Sequence, residues 1–301
     1  MPPSPAWAIA ALALATASPS LAAPASPATT APTPQGSGGL RLTYGDHADQ
    51  RILVYPAPPP AAPARRRPAP LAVYIHGGSW QHGAPENVDA KPQWFASHGW
   101  AFASIGFRAL PEAPVEEQAR DIGRALQTLR QQAGPLGFDP QRLLLLGHSS
   151  GAHLTALIAT DPSYAPESFA AIKGAMPIDG AAYDVALQID QAGLIGERIF
   201  VPVFGRDPAR YRVLSPIAQV GGKDVGDWLL LYAGARPDAA KQSALLAAAL
   251  RRAGRKAQRV MVPSSTPNPV AAHREINETF GTAGFAANAA IEALMKRVAG
   301  K

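Results

Sequence analysis

The sequence LLLLGHSSGAHL, which spans Leu143–Leu154, decides the expected fold. Its four leucines are typical of a strand buried in a parallel sheet, and apolar side chains recur at helical spacing from Leu154 onward. Between these two patterns lies the pentad GHSSG (147–151). A sharp strand-to-helix turn leaves little room on either side of its central residue, and glycine fits such positions. The stretch therefore predicts that Ser149 is a nucleophile presented on a tight turn.

Patterns typical of strands and helices alternate on both sides of this stretch. The predicted strands are 51–55, 71–75, 100–105, 143–146, 171–177, 228–232 and 257–262, and the predicted helices are 90–99, 115–132, 241–254 and 286–298. Apolar strands that alternate with helices form a mainly parallel sheet covered by helices on both faces. The expected fold class is therefore α/β.

Composition narrows the classes of function. The chain has 301 residues, 47% hydrophobic and 17% charged, so one large domain with a substantial core is expected. The net charge is +6, but the basic residues are scattered and their one run, Arg65–Arg67, lies between prolines, which argues against a nucleic-acid site. The chain has no cysteine, which excludes disulfides, thiolate catalysis and cysteine-ligated zinc. No metal, nucleotide or flavin motif appears, so no cofactor and no metal are expected.

The first residues predict export. An apolar stretch, Trp7–Ala17, is followed by small residues as in a secretory signal peptide, although no Lys or Arg precedes it. The stretch is too short to span a bilayer comfortably, and no later one is suited to a transmembrane helix. We expect a signal peptide over 1–23, a disordered Pro- and Ala-rich linker over 24–39 and a folded domain over 40–301. The mature protein is expected to be periplasmic or secreted.

A reactive serine needs a base within hydrogen-bond reach and an acid that orients the base. Only His153 and His273 follow Ser149 in the chain. His153 lies one turn into the helix behind the serine, so it is expected to pack rather than to reach back. His273 follows the last predicted strand, and an imidazole there could take the serine proton and return it to the leaving group. His273 is the expected base.

The expected acid and oxyanion donors come from loops that follow predicted strands. Asp238 lies in the loop after strand 228–232, where the orienting acid is expected, and the alternative role for it is a helix N-cap. Backbone N–H groups that would hold an oxyanion are expected from Ser150 and from the turn at Gly77 and Gly78. The sequence does not choose between these two glycines.

Four motifs resemble those of the α/β-hydrolase superfamily. They are HGGSW (76–80), GFRALPE (106–112), GHSSGAHL (147–154) and HREIN (273–277). In this order they resemble a bacterial group that contains feruloyl-esterase-like carboxylesterases, kynurenine formamidase-like enzymes and hormone-sensitive-lipase relatives. The resemblance covers roughly residue 40 to the C-terminus. It implies the α/β-hydrolase fold, with Ser149 as nucleophile, Asp238 as acid and His273 as base.

The expected function is a serine esterase that cleaves carboxylic esters through an acyl-enzyme. An arylformamidase or another amide hydrolase could use the same residues, and a catalytically inactive binding module on this fold is the alternative from a different class. The expected partner is a small-molecule ester of unspecified acyl and alcohol parts, and the oligomeric state is open. Residues 180–220 could form a partial lid, in which aromatic residues are either pocket walls or core. These aromatic residues are Tyr183, Phe200, Phe204 and Tyr211.

Overall fold

The computed structural model describes residues 33–34, 39–59 and 67–300. The predicted signal peptide lies outside these residues, and so does the predicted linker apart from Thr33–Pro34 and Gly39. Within the described ranges, no helix is long and apolar enough to cross a bilayer. The same ranges contain no group of three or more His, Asp or Glu side chains arranged to hold a metal ion.

A nine-stranded sheet forms the centre of the molecule. Its strands are β1 (Thr33–Pro34), β2 (Leu40–Thr43), β3 (Arg51–Tyr55), β4 (Ala69–Ile75), β5 (Ala101–Ile105), β6 (Phe138–His148), β7 (Ile172–Ile178), β8 (Asp227–Ala233) and β9 (Lys256–Val262). Their order is β1-β2-β3-β5-β4-β6-β7-β8-β9. Strands β4 to β9 are mutually parallel, whereas β1, β2 and β3 add an antiparallel edge beside β5. Every predicted strand is present, and the short edge strands β1 and β2 are additions to them.

Helices cover both faces of this sheet. They are α1 (Lys91–Ser97), α2 (Val115–Gln131), α3 (Ala133–Leu136), α4 (Ser150–Thr160), α5 (Val185–Ile199), α6 (Val201–Phe204), α7 (Pro208–Leu214), α8 (Pro216–Gln219), α9 (Pro237–Arg252), α10 (Pro269–Glu278) and α11 (Asn288–Val298). One core cluster contains side chains of α2, α4 and α9, and the other contains side chains of α1, α10 and α11. The expected α/β class is confirmed.

Strand β6 explains why four consecutive leucines are needed. Leu143 and Leu145 belong to the core on one face of the sheet, and Leu144 and Leu146 belong to the core on the other face. All four are fully buried. Successive side chains of a strand point to opposite faces, so a strand covered on both faces buries each of them. This strand ends at the predicted turn.

The turn between β6 and α4 is sterically tight. Ser149 has φ 58° and ψ −123°, a backbone conformation that L-residues rarely adopt. A Cβ atom on Gly147 would lie 2.4 Å from the carbonyl oxygen of Gly151, and one on Gly151 would lie 2.2 Å from the carbonyl oxygen of Ile75. These obstacles are backbone atoms, which cannot rotate away as a side chain can. The turn therefore requires glycine on both sides of the serine.

Residues 180–220 contain the four helices α5 to α8, which follow β7. Tyr183 and Phe204 are fully buried core residues, and the ring of Phe204 packs edge-on against that of Trp80 at 5.0 Å. Phe200 and Tyr211 are only partly buried against the same core. Two of the four aromatic residues are thus core, and a lid function for this segment stays a prediction.

Replacing Gly151 by Ala should destabilise the protein by about 3 kcal/mol, because the new methyl group would overlap backbone atoms at the end of β4. Gly134→Ala is the matched control, since a Cβ there meets no atom within 4 Å and helix α3 favours alanine. Urea unfolding followed by circular dichroism compares the two variants. Equal free energies of unfolding for both would contradict the steric account of the turn.

Candidate active site

Three side chains meet at the carboxyl end of the parallel strands. Ser149 follows β6, Asp179 follows β7, and His273 lies on α10. The Ser149 Oγ atom lies 2.9 Å from His273 Nε2, and the Asp179 Oδ2 atom lies 2.6 Å from His273 Nδ1. Because a carboxylate only accepts hydrogen bonds, Nδ1 carries the proton that is donated to Asp179. Nε2 is then free to accept the serine hydroxyl proton.

Asp238, the acid expected from the sequence, does not lie against His273, and this expectation needs correction. Its carboxylate instead accepts two hydrogen bonds from Arg236, from Nε at 2.9 Å and from Nη2 at 2.5 Å. Nor is Asp238 the N-cap of α9, because Arg236 holds that position and Asp238 lies in the first turn. The carboxylate beside the imidazole belongs to Asp179, which directly follows the predicted strand 171–177. That position is the sequence signal that could have identified it.

Arg236 also determines the state of Asp238. Burial alone would favour the neutral acid, but the hydrogen bonds and positive charge of Arg236 hold the pKa of the Asp238 carboxyl below its usual range. Asp238 is therefore an anion at neutral pH, and its charge is directed at Arg236 rather than at His273. The two side chains form an ion pair at the edge of the site.

Asp179 is held rigidly. Its side chain is fully buried, its N–H donates to the Leu231 carbonyl oxygen at 2.8 Å, and its Oδ1 accepts the Ala233 N–H at 2.9 Å. It has φ 48°, in the left-handed region that non-glycine residues seldom occupy. Such strain persists only where the surroundings enforce it, and it is concentrated at functional sites. Strand β8 thus fixes one oxygen of the carboxylate and leaves the other for His273.

His273 lies on helix α10 and not on a loop, and a polar cluster holds this helix in place. One turn after the histidine, Asn277 accepts a hydrogen bond from Tyr74 Oη at its Oδ1 (3.0 Å) and one from Lys91 Nζ at its carbonyl oxygen (3.0 Å). The Asp89 carboxylate pairs with Lys91 and accepts from the Asn277 amide. The Lys91 side chain is fully buried, and burial lowers its pKa. A cation in the core thus anchors the helix that carries His273.

His148 supports His273 from the other side. Its Nε2–H donates to the His273 carbonyl oxygen at 2.9 Å, and the two rings lie 4.4 Å apart at an angle of 31°. Burial, reinforced by the neighbouring His273, lowers the pKa of His148 well below its usual value, so the ring is neutral. The sequence does not predict a role for His148, which occupies a variable position of the pentad. Its packing role depends on contacts with His273 of α10, which lies 125 residues further along the chain.

The residues predicted as oxyanion donors lie close to Ser149. Ser150 begins α4, so its N–H has no acceptor within the helix. A Cβ on Gly77 would lie 3.0 Å from the Cβ of Ser149, which puts the backbone of the 76–80 loop next to the serine. Gly78 has φ 140°, and a Cβ on it would lie 1.7 Å from the His82 carbonyl oxygen, so the loop cannot turn here without glycine. Glycine is therefore required at Gly78, and a side chain at Gly77 would press tightly against the serine.

Two further histidines near the site are structural. The ring of His76 stacks on Phe107 at 4.4 Å, and its Nδ1 donates to the Gly77 carbonyl oxygen at 2.9 Å. His153 accepts from Trp80 Nε1 at 3.3 Å and donates from Nε2 to the Leu214 carbonyl oxygen at 2.8 Å. Burial lowers the pKa of each to about 4, so both rings are neutral at neutral pH. As expected from its position in α4, His153 packs and does not reach the serine.

Comparison with known proteins supports the fold. The BD-FAE family model matches residues 61–193, which include the 76–80 loop and the turn at Ser149. Esterase B from Lactobacillus rhamnosis superposes with a TM-score of 0.67 at 22% identity over 85% of each chain. Apo esterase 2 from Thermogutta terrifontis superposes with a TM-score of 0.62 at 22% identity, over 88% of this chain and 93% of that one.

The chain has the α/β-hydrolase fold of these esterases. The resemblance seen in the sequence is thereby confirmed, because the curated relatives come from the same group of enzymes. Esterase LipQ of Mycobacterium tuberculosis is 26% identical over 71% of this chain and 52% of its own length. Carboxylesterase NlhH of the same species is 33% identical over 32% of this chain and 31% of its own length, and kynurenine formamidase of Salmo salar is 26% identical over 48% and 46%. The chain therefore spans about half the length, or less, of these curated relatives.

Lys91→Met should lower the free energy of unfolding by about 2 kcal/mol, because the Asn277 carbonyl oxygen and the Asp89 carboxylate would lose their common donor. Lys241→Met, on the exposed face of α9, is the matched control and should change stability by less than about 0.5 kcal/mol. Urea unfolding measures both variants. If Lys91→Met were as stable as the control, the anchoring role of the buried cation would be wrong.

Proposed function

We propose that the protein is a serine hydrolase that cleaves carboxylic esters through an acyl-enzyme. Ser149 is the nucleophile, His273 the base and Asp179, in place of Asp238, the orienting acid. The observation that carries this proposal is the relay from Ser149 Oγ to His273 Nε2 at 2.9 Å and from His273 Nδ1 to Asp179 Oδ2 at 2.6 Å. A nucleophile, a base and an acid within hydrogen-bond distance in this order are the minimum that acyl transfer by serine requires.

The proposed reaction has two steps. Ser149 Oγ attacks the ester carbonyl carbon while Nε2 of His273 takes its proton, and the resulting imidazolium gives this proton to the departing alcohol. A water molecule then gives a proton to the same nitrogen and attacks the acyl carbonyl carbon. The bond from this carbon to Ser149 Oγ breaks as the imidazolium returns the proton to Oγ, which releases the acid and restores the serine. In both steps the buried Asp179 carboxylate stabilises the imidazolium and keeps the ring in the correct tautomer.

The oxyanion of each tetrahedral intermediate would be held by backbone N–H groups. Ser150 supplies one of them at the N-terminus of α4, where the helix dipole also favours negative charge. Gly77 and Gly78 supply the second donor, and the short distance between Gly77 and Ser149 supports a position next to the reacting carbonyl. Loss of one such donor typically reduces kcat by about 10²- to 10³-fold.

The relatives support ester hydrolysis and suggest one alternative. LipQ is named as an esterase and NlhH as a carboxylesterase. Esterase 2 of Thermogutta terrifontis is described as phosphonylated by sarin. Similarity to kynurenine formamidase favours an aryl formamide as the second candidate substrate, since its formyl carbonyl could be attacked by the same serine. The two candidates differ in the leaving group and in the pocket that receives it, not in the relay.

Substitutions at Ser149, Asp179 and Asp238 should show which of the two aspartates orients His273. Ser149→Ala should reduce kcat by at least about 10³-fold, and Asp179→Asn should also reduce it by about 10³- to 10⁴-fold because the imidazole would lose its orienting anion. Asp238→Asn should retain kcat within about tenfold, since its carboxylate contacts Arg236. Steady-state hydrolysis of p-nitrophenyl acetate provides the measurement. A larger loss for Asp238→Asn than for Asp179→Asn would restore Asp238 as the acid.

A substrate panel should distinguish the ester from the formamide. We expect kcat/KM for short p-nitrophenyl esters to exceed that for N-formylaniline, because p-nitrophenolate is the better leaving group. In addition, LipQ, which is matched over 225 residues against 146 for kynurenine formamidase, is named as an esterase. Acyl chains from acetyl to octanoyl and a feruloyl ester define the acyl preference. Ser149→Ala serves as the blank for each substrate. A higher kcat/KM for the formamide would favour the second candidate.

A further inference from the structure

A cation lies next to the proposed acid–base pair. Nη1 of Arg236 is 2.6 Å from His273 Nδ1 and 3.1 Å from Asp179 Oδ2. The Nε and Nη2 atoms of the same guanidinium donate to the two carboxylate oxygens of Asp238. The Arg236 side chain is only 13% exposed, so solvent screens these interactions weakly. The Nδ1 side of the His273 imidazole thus contacts both the Asp179 carboxylate and the Arg236 guanidinium. The Asp238 carboxylate lies on the far side of that guanidinium.

The two contacts at Nδ1 exclude each other as hydrogen bonds. When Nδ1 carries a proton and donates it to Asp179, this nitrogen has no lone pair left to accept from Arg236. When Nδ1 accepts from Arg236, the proton sits on Nε2, which can then no longer accept the proton of Ser149. Asp179 therefore favours the productive tautomer, and Arg236 opposes it. The charge of Arg236 also opposes protonation of the ring.

We propose that Arg236 and Asp238 are a positioning pair that sets the pH range over which His273 acts as a base. The Arg236 cation opposes protonation of the ring, and its Nη1 donates to the Asp179 carboxylate. The Asp238 anion offsets part of the cation's charge and fixes its guanidinium plane, so that the imidazolium formed during the reaction is still tolerated. This inference rests on the proposed function and concerns the control of the same site.

Among the described residues, no other charged group takes the place of Arg236 beside the His273 imidazole. His148, from the end of β6, is buried and neutral. Lys91, from α1, is paired with Asp89 and meets α10 at the Asn277 carbonyl oxygen, one turn away from the imidazole. On α10 itself, the Glu275 carboxylate accepts the N–H of Ser265. The charges in direct contact with the imidazole or with its partners are those of Asp179, Arg236 and Asp238.

The pH profile of kcat/KM tests this pair, with p-nitrophenyl acetate as substrate. The acidic limb reports deprotonation of the base in the free enzyme. In Arg236→Gln the cation is absent, and the limb should move to higher pH by about one unit. In Asp238→Asn the cation is uncompensated, and the limb should move to lower pH by about one unit. For Asp238→Asn, kcat should also fall several-fold with little change in KM, because the imidazolium of the transition state meets the full charge.

Two variants separate charge from structure. Arg236→Lys keeps the charge and loses the planar fork, so kcat should fall while the acidic limb stays near its wild-type position. Asp227→Asn removes the partner of Arg297 at the opposite end of β8, and its limb should not move. Limbs that move in the same direction, or not at all, in Arg236→Gln and Asp238→Asn would overturn the inference.

The Ser149→Ala enzyme distinguishes failure of this inference from failure of the proposed function. If it hydrolyses the ester at the wild-type rate, the proposed function itself is wrong. If it is inactive and the limbs of the Arg236 and Asp238 variants do not move in opposite directions, only the positioning pair is wrong. Circular dichroism of each variant verifies that the fold is retained before its profile is compared.

Discussion

The first turn of α4 lies against the end of β4, and the arrangement of the site depends on this close approach. Carbonyl oxygens of Ile75 and His76 occupy the space that a side chain at Gly151 would need. With the helix this near, the chain leaves β6 through the strained conformation of Ser149. The same approach places the start of α4 beside the 76–80 loop. One steric constraint thus projects the hydroxyl and gathers the backbone donors around it.

The electrostatics of the site follow from burial. His76, His148 and His153 are buried and neutral, so they pack and position without adding charge near the serine. The buried charges are instead paired, Asp179 with Arg236 and Lys91 with Asp89. In a poorly solvated environment, each unpaired charge would cost several kcal/mol. Of the four histidines described at the site, His273 alone contacts a serine hydroxyl, and it is more exposed than the other three.

Much of the fold could be predicted from hydrophobic periodicity, but the acid could not. Parallel strands buried on both faces, such as Leu143–Leu146, give long apolar runs that a single sequence reveals. Ser149 and His273 were identified by a turn motif and by chain order, and the structure brings them within hydrogen-bond distance. Asp179 and Asp238 both follow a strand, and chain order alone does not reveal which of them reaches the histidine.

Two further features were hidden for local reasons. Helix α10 was not among the predicted helices, although its N-terminus carries helix signals. Asn268 accepts the N–H groups of Val270 and Ala271, and Pro269 occupies the first helical position. Those signals precede a helix of only ten residues, and its polar composition masks the apolar face formed by Ala272 and Ile276. The role of Arg236 was hidden too, because a cation that opposes the base is not part of the pattern that a serine hydrolase predicts.

The position of Asp179 has a consequence for how the site assembles during folding. Ser149 and Asp179 belong to one β–α–β unit, β6-α4-β7, so short loop closure brings them together. His273 is separated from Ser149 by 124 residues and from Asp179 by 94. Its contacts with them require β8 and β9 to pair with the sheet and α10 to pack against it. From these separations, Ser149 and Asp179 are expected to come together as a local unit before His273 joins them through long-range contacts.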